Sequence, residues 1–259
     1  MAFAVSGKPD KGVMVAHKKI GLLWPADGRN DREFWNWLPN SVSVLIARYD
    51  VEGGLMVSHL EKDGDPARIA AAARILRHAC PDVFALGDCA AGFIGGAELE
   101  KAQIRAVSSI SHGKPVVSMT ASIARALECV EARNVAVLSP YNREVTERFE
   151  KYLSDFGILV GASRCLSARG ESEIDNVSVE WWMNEAKAVD ADFADALVVP
   201  GGGVSLSNSI SGLERHLDKP VICGPGALMW AALSGLSINH ASENRGNLFR
   251  IGFGNASKT

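Results

Sequence analysis

The sequence predicts an α/β fold of two similar lobes, each a parallel sheet flanked by helices, related by a pseudo-twofold axis. Two observations carry this expectation. Short apolar runs of strand length alternate with longer helical stretches, the pattern of βα units feeding a parallel sheet. The same order of runs then recurs in the second half of the chain, at a spacing far too long for a solenoid repeat. The bulk numbers agree: 259 residues, 47 % hydrophobic and 22 % charged, are enough to bury a sizeable core without disulfides or a structural metal.

Taken in order, KKIGLLWP (18–25), VSVLIARY (42–49), DVFALGD (82–88) and KPVVSM (114–119) have the length and β-branched content of strands. Between the second and third, residues 65–79 predict a helix. Asp65 stands at its N-cap, Pro66 at its first position, and Ile69, Ala72, Ala73 and Leu76 recur at helical spacing. In the second half, residues 134–140, 157–166, 194–203 and 219–233 match these segments in turn. Pro25 to Pro140 is 115 residues, Asp82 to Asp195 is 113 and Pro115 to Pro220 is 105. The drift is what insertions in loops produce. The expected organisation is a leader over 1–17, a first lobe over 18–132 and a second over 133–259, its C-terminal segment able to pack back on the first lobe.

Charge and cysteine usage narrow the class. Lys and Arg number 27 against 30 Asp and Glu, for a formal charge of −3, so no basic excess favours a nucleic-acid or anionic-membrane partner. No run of 18 apolar residues predicts a membrane span. Five scattered cysteines without a CxxC pair read as reduced thiols in a cytoplasmic protein, and no His/Cys cluster has zinc-ligand spacing. The histidines pair with no Ser or Cys in a nucleophile motif, and the GGG run lacks a Walker lysine. Trp35 and Trp37 fall in an insertion-like stretch after the first strand, where a hydrophobic lid is one expectation and core packing the other.

Ligands of open parallel sheets bind beyond the carboxyl ends of the strands. Four such ends are candidates: 25–28, with Pro25 and Asp27; 88–92, with Asp88, Cys89 and Ala90; 140–142, with Tyr141 and Asn142; and 200–204, with Gly201, Gly202 and Gly203.

At these residues the chain resembles the aspartate/glutamate racemase superfamily, in its maleate cis–trans isomerase and arylmalonate decarboxylase branch. SPYNREVTERFEKYLSDFGILV (139–160), GFIGGAELE (92–100) and KPVICGPGALMWAAL (219–233) carry the likeness, which extends from about residue 19 to 238. The resemblance implies catalysis without metal or organic cofactor, a homo-oligomer, and a cleft in which a cysteine from each lobe faces the substrate carbon. It also implies that Tyr141 hydrogen-bonds a substrate carboxylate, and that Glu171 aligns loosely with an asparagine-bearing loop of the isomerases.

The cysteines depart from that pattern. Counting back from Phe93-Ile94-Gly95-Gly96, or forward six residues from Asp82, places Asp88 in the first cysteine slot. Cys89 takes the slot only if the strand end carries a one-residue insertion. Six residues after Asp195 lies Gly201, so the second slot holds no thiol. Backbone N–H groups of Cys89, Ala90 and Gly202 could still bind an oxyanion.

Asp27, Asp88 and Glu171 would make the cleft acidic unless Asp27 and Glu171 point to solvent. An acidic cleft favours a substrate with one carboxylate and a cationic or amide-like nitrogen over a dicarboxylate. Three functions stay open: proton transfer through an enolate-like intermediate, in isomerisation or decarboxylation, with Asp88 or Cys89; hydrolysis of an amide, cyclic amide or lactone with Asp88 as general base; and a ligand-binding relative without catalysis.

Overall fold

A computed structural model describes residues 17–252. Eight strands form two four-stranded sheets: β1 (Lys18–Pro25), β2 (Val42–Tyr49), β3 (Val83–Leu86) and β4 (Val116–Ser118) in one, and β5 (Asn134–Ser139), β6 (Leu159–Cys165), β7 (Ala196–Val199) and β8 (Val221–Cys223) in the other. Strand order is β2-β1-β3-β4 in the first and β6-β5-β7-β8 in the second, parallel throughout. The central strands VFAL and ALVV are buried at every position, as strands covered by helices on both faces must be.

The first six helices belong to the first lobe: α1 (Asp31–Asn36), α2 (Val57–Asp63), α3 (Pro66–Leu76), α4 (Cys89–Phe93), α5 (Gly96–Ser108) and α6 (Met119–Cys129). The second carries α7 (Arg143–Ser154), α8 (Glu171–Asp175), α9 (Val179–Val189), α10 (Ile210–Leu217), α11 (Gly224–Gly235) and α12 (Gly246–Ile251). The Asp65 side chain caps α3 through the Ala67 N–H at 2.9 Å, with Pro66 at the first helical position. None of the helices among the described residues is long and apolar enough to cross a membrane.

The duplication is visible at single residues. Asp82 accepts the Lys19 N–H at 3.0 Å, tying the start of β3 to β1. Asp195 does the same for β7 and β5, accepting the Arg133 and Asn134 N–H groups at 2.9 and 2.7 Å. These bonds, together with the paired lysines, hold both carboxyls below the usual Asp range, although partial burial of Asp82 pulls the other way. The main departure from symmetry is a bulge in β6. Register slips between Val135 and Ala136, leaving Gly161 as the extra residue, and a Cβ there would lie 2.2 Å from the Phe193 ring.

The larger of two buried cores is common to both lobes, and the smaller lies within the first. Residues of both sheets, together with α6 and α11, belong to a single buried apolar cluster. Helix α11 is buried from Gly224 to Leu233 on every face and packs against α6. The C-terminal helix α12 touches α6 as well, and its Phe249 stacks on Trp37 with ring centroids 5.4 Å apart. Trp37 is therefore core, fixed by α1 and α12, while Trp35 lies exposed on α1. Neither forms a lid, which corrects that expectation. The leader expected over residues 1–17 lies outside the described residues except for His17.

Buried carboxylates fasten one lobe to the other. From α1, Glu33 accepts the N–H groups of Leu206 and Ser207 at 2.9 and 2.7 Å, the Ser207 hydroxyl and the Trp37 indole. From α5, Glu100 accepts the Tyr152 hydroxyl of α7 at 2.5 Å, the Ala121 N–H and the Ser118 hydroxyl. Every polar atom that these acids face is paired, as burial requires.

Candidate active site

The carboxyl ends of β1, β2, β3, β5 and β7 converge between the lobes. They enclose a narrow cavity whose free interior is about 20 Å³, room for roughly one water, and which reaches about 370 Å³ with the open space at its mouth included. The first lobe contributes most of the wall, and Tyr141, Glu171 and Gly202 close it from the second.

On the first-lobe side, β3 runs through Gly87 into Asp88, which is extended (φ −83°, ψ 111°) and caps α4. Its Oδ1 accepts the Ala91 N–H at 3.0 Å and its Oδ2 the Tyr49 hydroxyl at 3.2 Å. Burial pushes the Asp88 carboxyl up to about 6; the two hydrogen bonds oppose that rise, and the charges of Asp27 and Asp63 add to it. The Tyr49 bond favours the ionised form, so Tyr49→Phe is expected to move the Asp88 titration further upward. A pH titration of Asp88 by carbon-13 NMR reads this, and a downward move would contradict the assignment.

Cys89, the first residue of α4, turns its thiol toward Tyr141, the Gly201 N–H and Thr120. Burial pushes this thiol up to about 12, so it carries negligible thiolate near neutral pH.

On the second-lobe side, Gly201 occupies the position that the duplication pairs with Asp88. It adopts φ +103°, and a Cβ there would lie 3.0 Å from the Pro140 ring and 3.2 Å from the Tyr141 hydroxyl. The next two glycines admit large side chains from elsewhere. A Cβ on Gly202 would sit 2.3 Å from the Trp24 ring, and one on Gly203 would sit 2.2 Å from Glu171 Oε2. The Trp24 indole also abuts Gly28 and Gly87, so three glycines from three segments form its slot. Since Gly202 also faces the Gly87 carbonyl at 2.9 Å, backbone would have to move to accept a methyl. Gly202→Ala is expected to destabilise the fold by about 1–3 kcal/mol, measured by urea denaturation.

Two buried polar atoms of this wall, Trp24 Nε1 and Glu171 Oε2, have no hydrogen-bond partner. Burial pushes Glu171 up to about 8, with the charges of Asp88 and Asp27 adding to it. Asp27 and Asp63 are raised as well, each mainly by burial. Asp27 and Glu171 stand at a throat, for they also line a wider outer mouth of about 930 Å³ with Arg29, Arg48 and Ser172. Arg48 is fixed there by Asp31 at 2.6 Å and by the carbonyls of Pro25 and Gly28. Among the described residues, no group of His, Cys, Asp and Glu is arranged to hold a metal ion.

The family model for arylmalonate decarboxylase matches residues 39–249, well over half of the chain. The chain belongs to the arylmalonate decarboxylase family. Its similarity to a maleate isomerase of Nocardia farcinica is 25 % identity over 178 residues, 66 % of this chain and 70 % of that protein. To an arylmalonate decarboxylase of Bordetella bronchiseptica it is 24 % over 123 residues, 47 % of this chain and 51 % of the other. A maleate isomerase variant from Pseudomonas putida S16, solved with maleate, superposes with a TM-score of 0.82 at 20 % identity, covering 90 % of this chain and 97 % of that one. These findings bear out the branch and the two-lobed parallel α/β architecture that the sequence suggests.

In this member of the arylmalonate decarboxylase family, Pro25, Asp27, Asp88, Cys89, Ala90, Tyr141, Glu171 and Gly202 all line the one cavity. Gly201 and Gly203 lie behind its wall. Asn142 faces elsewhere: it caps α7 through the Val145 N–H at 2.9 Å and donates to the Leu55 carbonyl at 3.2 Å. The cavity also holds residues that sequence reasoning missed, chiefly Trp24, Leu55, Leu60 and Asp63. No histidine lines it.

Proposed function

We propose that this chain is a cofactor-independent enzyme that decarboxylates or isomerises a small carboxylate-bearing substrate through an enolate-like intermediate, with Asp88 handling the proton. The observation that carries this reading is Asp88 itself. It is a carboxylate at the end of a central strand, inside the interlobe cavity, tuned to about 6 and so able to accept a proton near neutral pH. Family membership supports the chemistry, since its named relatives are an isomerase and a decarboxylase. The raised thiol of Cys89 disfavours a nucleophilic cysteine in this chain.

Negative charge developing on substrate oxygens needs fixed donors. The first-turn N–H groups of Cys89 and Ala90, the Gly202 N–H and the unpartnered Trp24 Nε1 are those at hand. Tyr141 adds a hydroxyl. Arg29 and Arg48 at the mouth would draw an anion toward the throat. Within, Asp27 and Asp63 oppose a second substrate carboxylate and favour an amine or amide nitrogen in its place. The substrate is then a small acid with one carboxylate and one nitrogen group.

Proton NMR of incubations in deuterated water tests this, with phenylmalonate, its monoamide, maleate and maleamate as probes. Decarboxylation of the monoamide with deuterium on the product carbon is expected, or isomerisation of maleamate by water that Asp88 deprotonates, that adds to the double bond to give the enolate and is then eliminated, each faster than with the matching diacid. Preference for maleate over maleamate would overturn the nitrogen assignment. Binding without turnover of any of the four acids would overturn the enzymatic reading, and hydrolysis of the amide bond without deuterium on carbon would replace it by a hydrolase.

A further inference from the structure

We infer that Glu171 is the second acid–base group of this site: it stands in for the thiol that the second lobe lacks and delivers a proton to the substrate carbon from the second-lobe side. The inference rests on the enolate chemistry proposed above and adds a catalytic residue to it.

The second lobe has no proton-transferring side chain at the position equivalent to Asp88. Gly201 is there, and the space ahead of it is taken by Pro140 and the Tyr141 hydroxyl. The same glycine turn does admit a carboxyl from another element. Glu171, at the start of α8, places Oε2 where a side chain on Gly203 would begin. That oxygen is buried, lines the cavity it shares with Asp88, and has no partner within the protein. A buried carboxyl oxygen without a partner is rare, because leaving it unsatisfied costs about 1–3 kcal/mol. Neighbouring groups do not neutralise it either: the charges that bear on Glu171 are those of Asp88, Asp27 and Asp175, all of one sign. The two carboxyls are therefore pushed apart in acidity, to about 6 for Asp88 and about 8 for Glu171. A pair split in this way supplies a base and an acid at the same pH.

The step balances without a further reactant. The substrate carbon loses a proton to the Asp88 carboxylate, or loses carbon dioxide, and the bonding electron pair passes into the adjoining carbonyl or carboxylate. The Glu171 O–H bond then breaks as its proton forms the new C–H bond. The electron pair of that O–H bond remains on Glu171, which regains a proton from solvent through the throat where it stands, and Asp88, where it took the substrate proton, releases it to solvent.

Wild type, Glu171→Gln and Glu171→Asp are compared on phenylmalonamate in deuterated water between about pH 5 and 9. We expect Glu171→Gln to lower kcat by about 10²–10⁴-fold with little change in KM, and Glu171→Asp to restore part of it. The alkaline limb of the kcat profile, near the Glu171 value of about 8, is expected to vanish in Glu171→Gln. An unchanged kcat and an unchanged alkaline limb in Glu171→Gln overturn the assignment and leave the proposed function standing. If wild type turns over none of the four acids, the proposed function fails, and infrared difference spectra decide the acid itself. A carbonyl band of a protonated carboxyl is expected at neutral pH, titrating near 8 and absent from Glu171→Gln. Its absence from wild type would overturn the inference on the protein alone.

Discussion

Asp88→Asn is expected to lower kcat by about 10²–10⁴-fold, the usual contribution of a positioned acid–base group. The substitution isolates chemistry from folding. Asparagine is as good an N-cap as aspartate, so the bond to the Ala91 N–H and the start of α4 survive. The stability of the variant should even exceed that of wild type on the alkaline side. A carboxyl raised from 3.8 to about 6 adds stability that is fully present below 3.8 and lost as pH rises through 6. Asparagine has no such loss, so melting temperatures should separate above about pH 6 in favour of Asp88→Asn. Cys89→Ala is the control, expected to stay within about tenfold of wild type because the neutral thiol does no proton work at this pH. A dead Cys89→Ala beside an active Asp88→Asn would move the catalytic slot to the cysteine.

Glu33→Ala is expected to destabilise the protein by about 3–5 kcal/mol in urea denaturation, the range for breaking a buried charged network. The alanine would strand the Trp37 indole N–H and the backbone N–H groups of Leu206 and Ser207, all of which converge on Glu33 Oε1. It would also leave Arg245, partly buried beside Trp37, without its nearest opposite charge. Glu33→Gln keeps a carbonyl oxygen for those donors and should cost only about 1–2 kcal/mol. Because the bonded segment follows directly on Gly201–Gly203, which Asn30 also grips through the Gly203 carbonyl and Ser205, loss of Glu33 should loosen the second-lobe wall of the cavity. A Glu33→Ala variant as stable as wild type would remove that argument.

Much of the fold was legible because it is written in short-range pattern. The limits of β1 and β2 and the start of the Asp65-capped helix are those the apolar runs and the Asp-Pro pair indicate, while the α-helix expected to run to residue 79 ends at Leu76 and gives way to a 3-10 turn. The duplication was legible too, since Asp82 and Asp195 repeat one hydrogen-bonding task. The short helices α8 and α12 were not, because neither has enough turns to show a period. The site was legible wherever a strand end or a loop alignment pointed to it. Trp24 escaped because nothing local marks its slot; period-two alternation puts it on the face of Ile20 and Leu22, but Gly28, Gly87 and Gly202 come together only in three dimensions. Asp63 escaped for a similar reason, being turned inward by the Glu52 N–H at 2.7 Å. For Glu171 the sequence left two orientations open, and the packing around Gly203 selects the buried one.

The core that the lobes share through α6 and α11 has a consequence for how the two halves relate. A half stripped of its twin would leave its shared helix, apolar and small-surfaced, facing water. Parting the halves would expose that seam to water, so the shared core opposes a wide hinge-like opening of the cleft. With that seam closed, a substrate enters past the side chains at the neck, Asp27 and Glu171, which line both the cavity and the outer mouth.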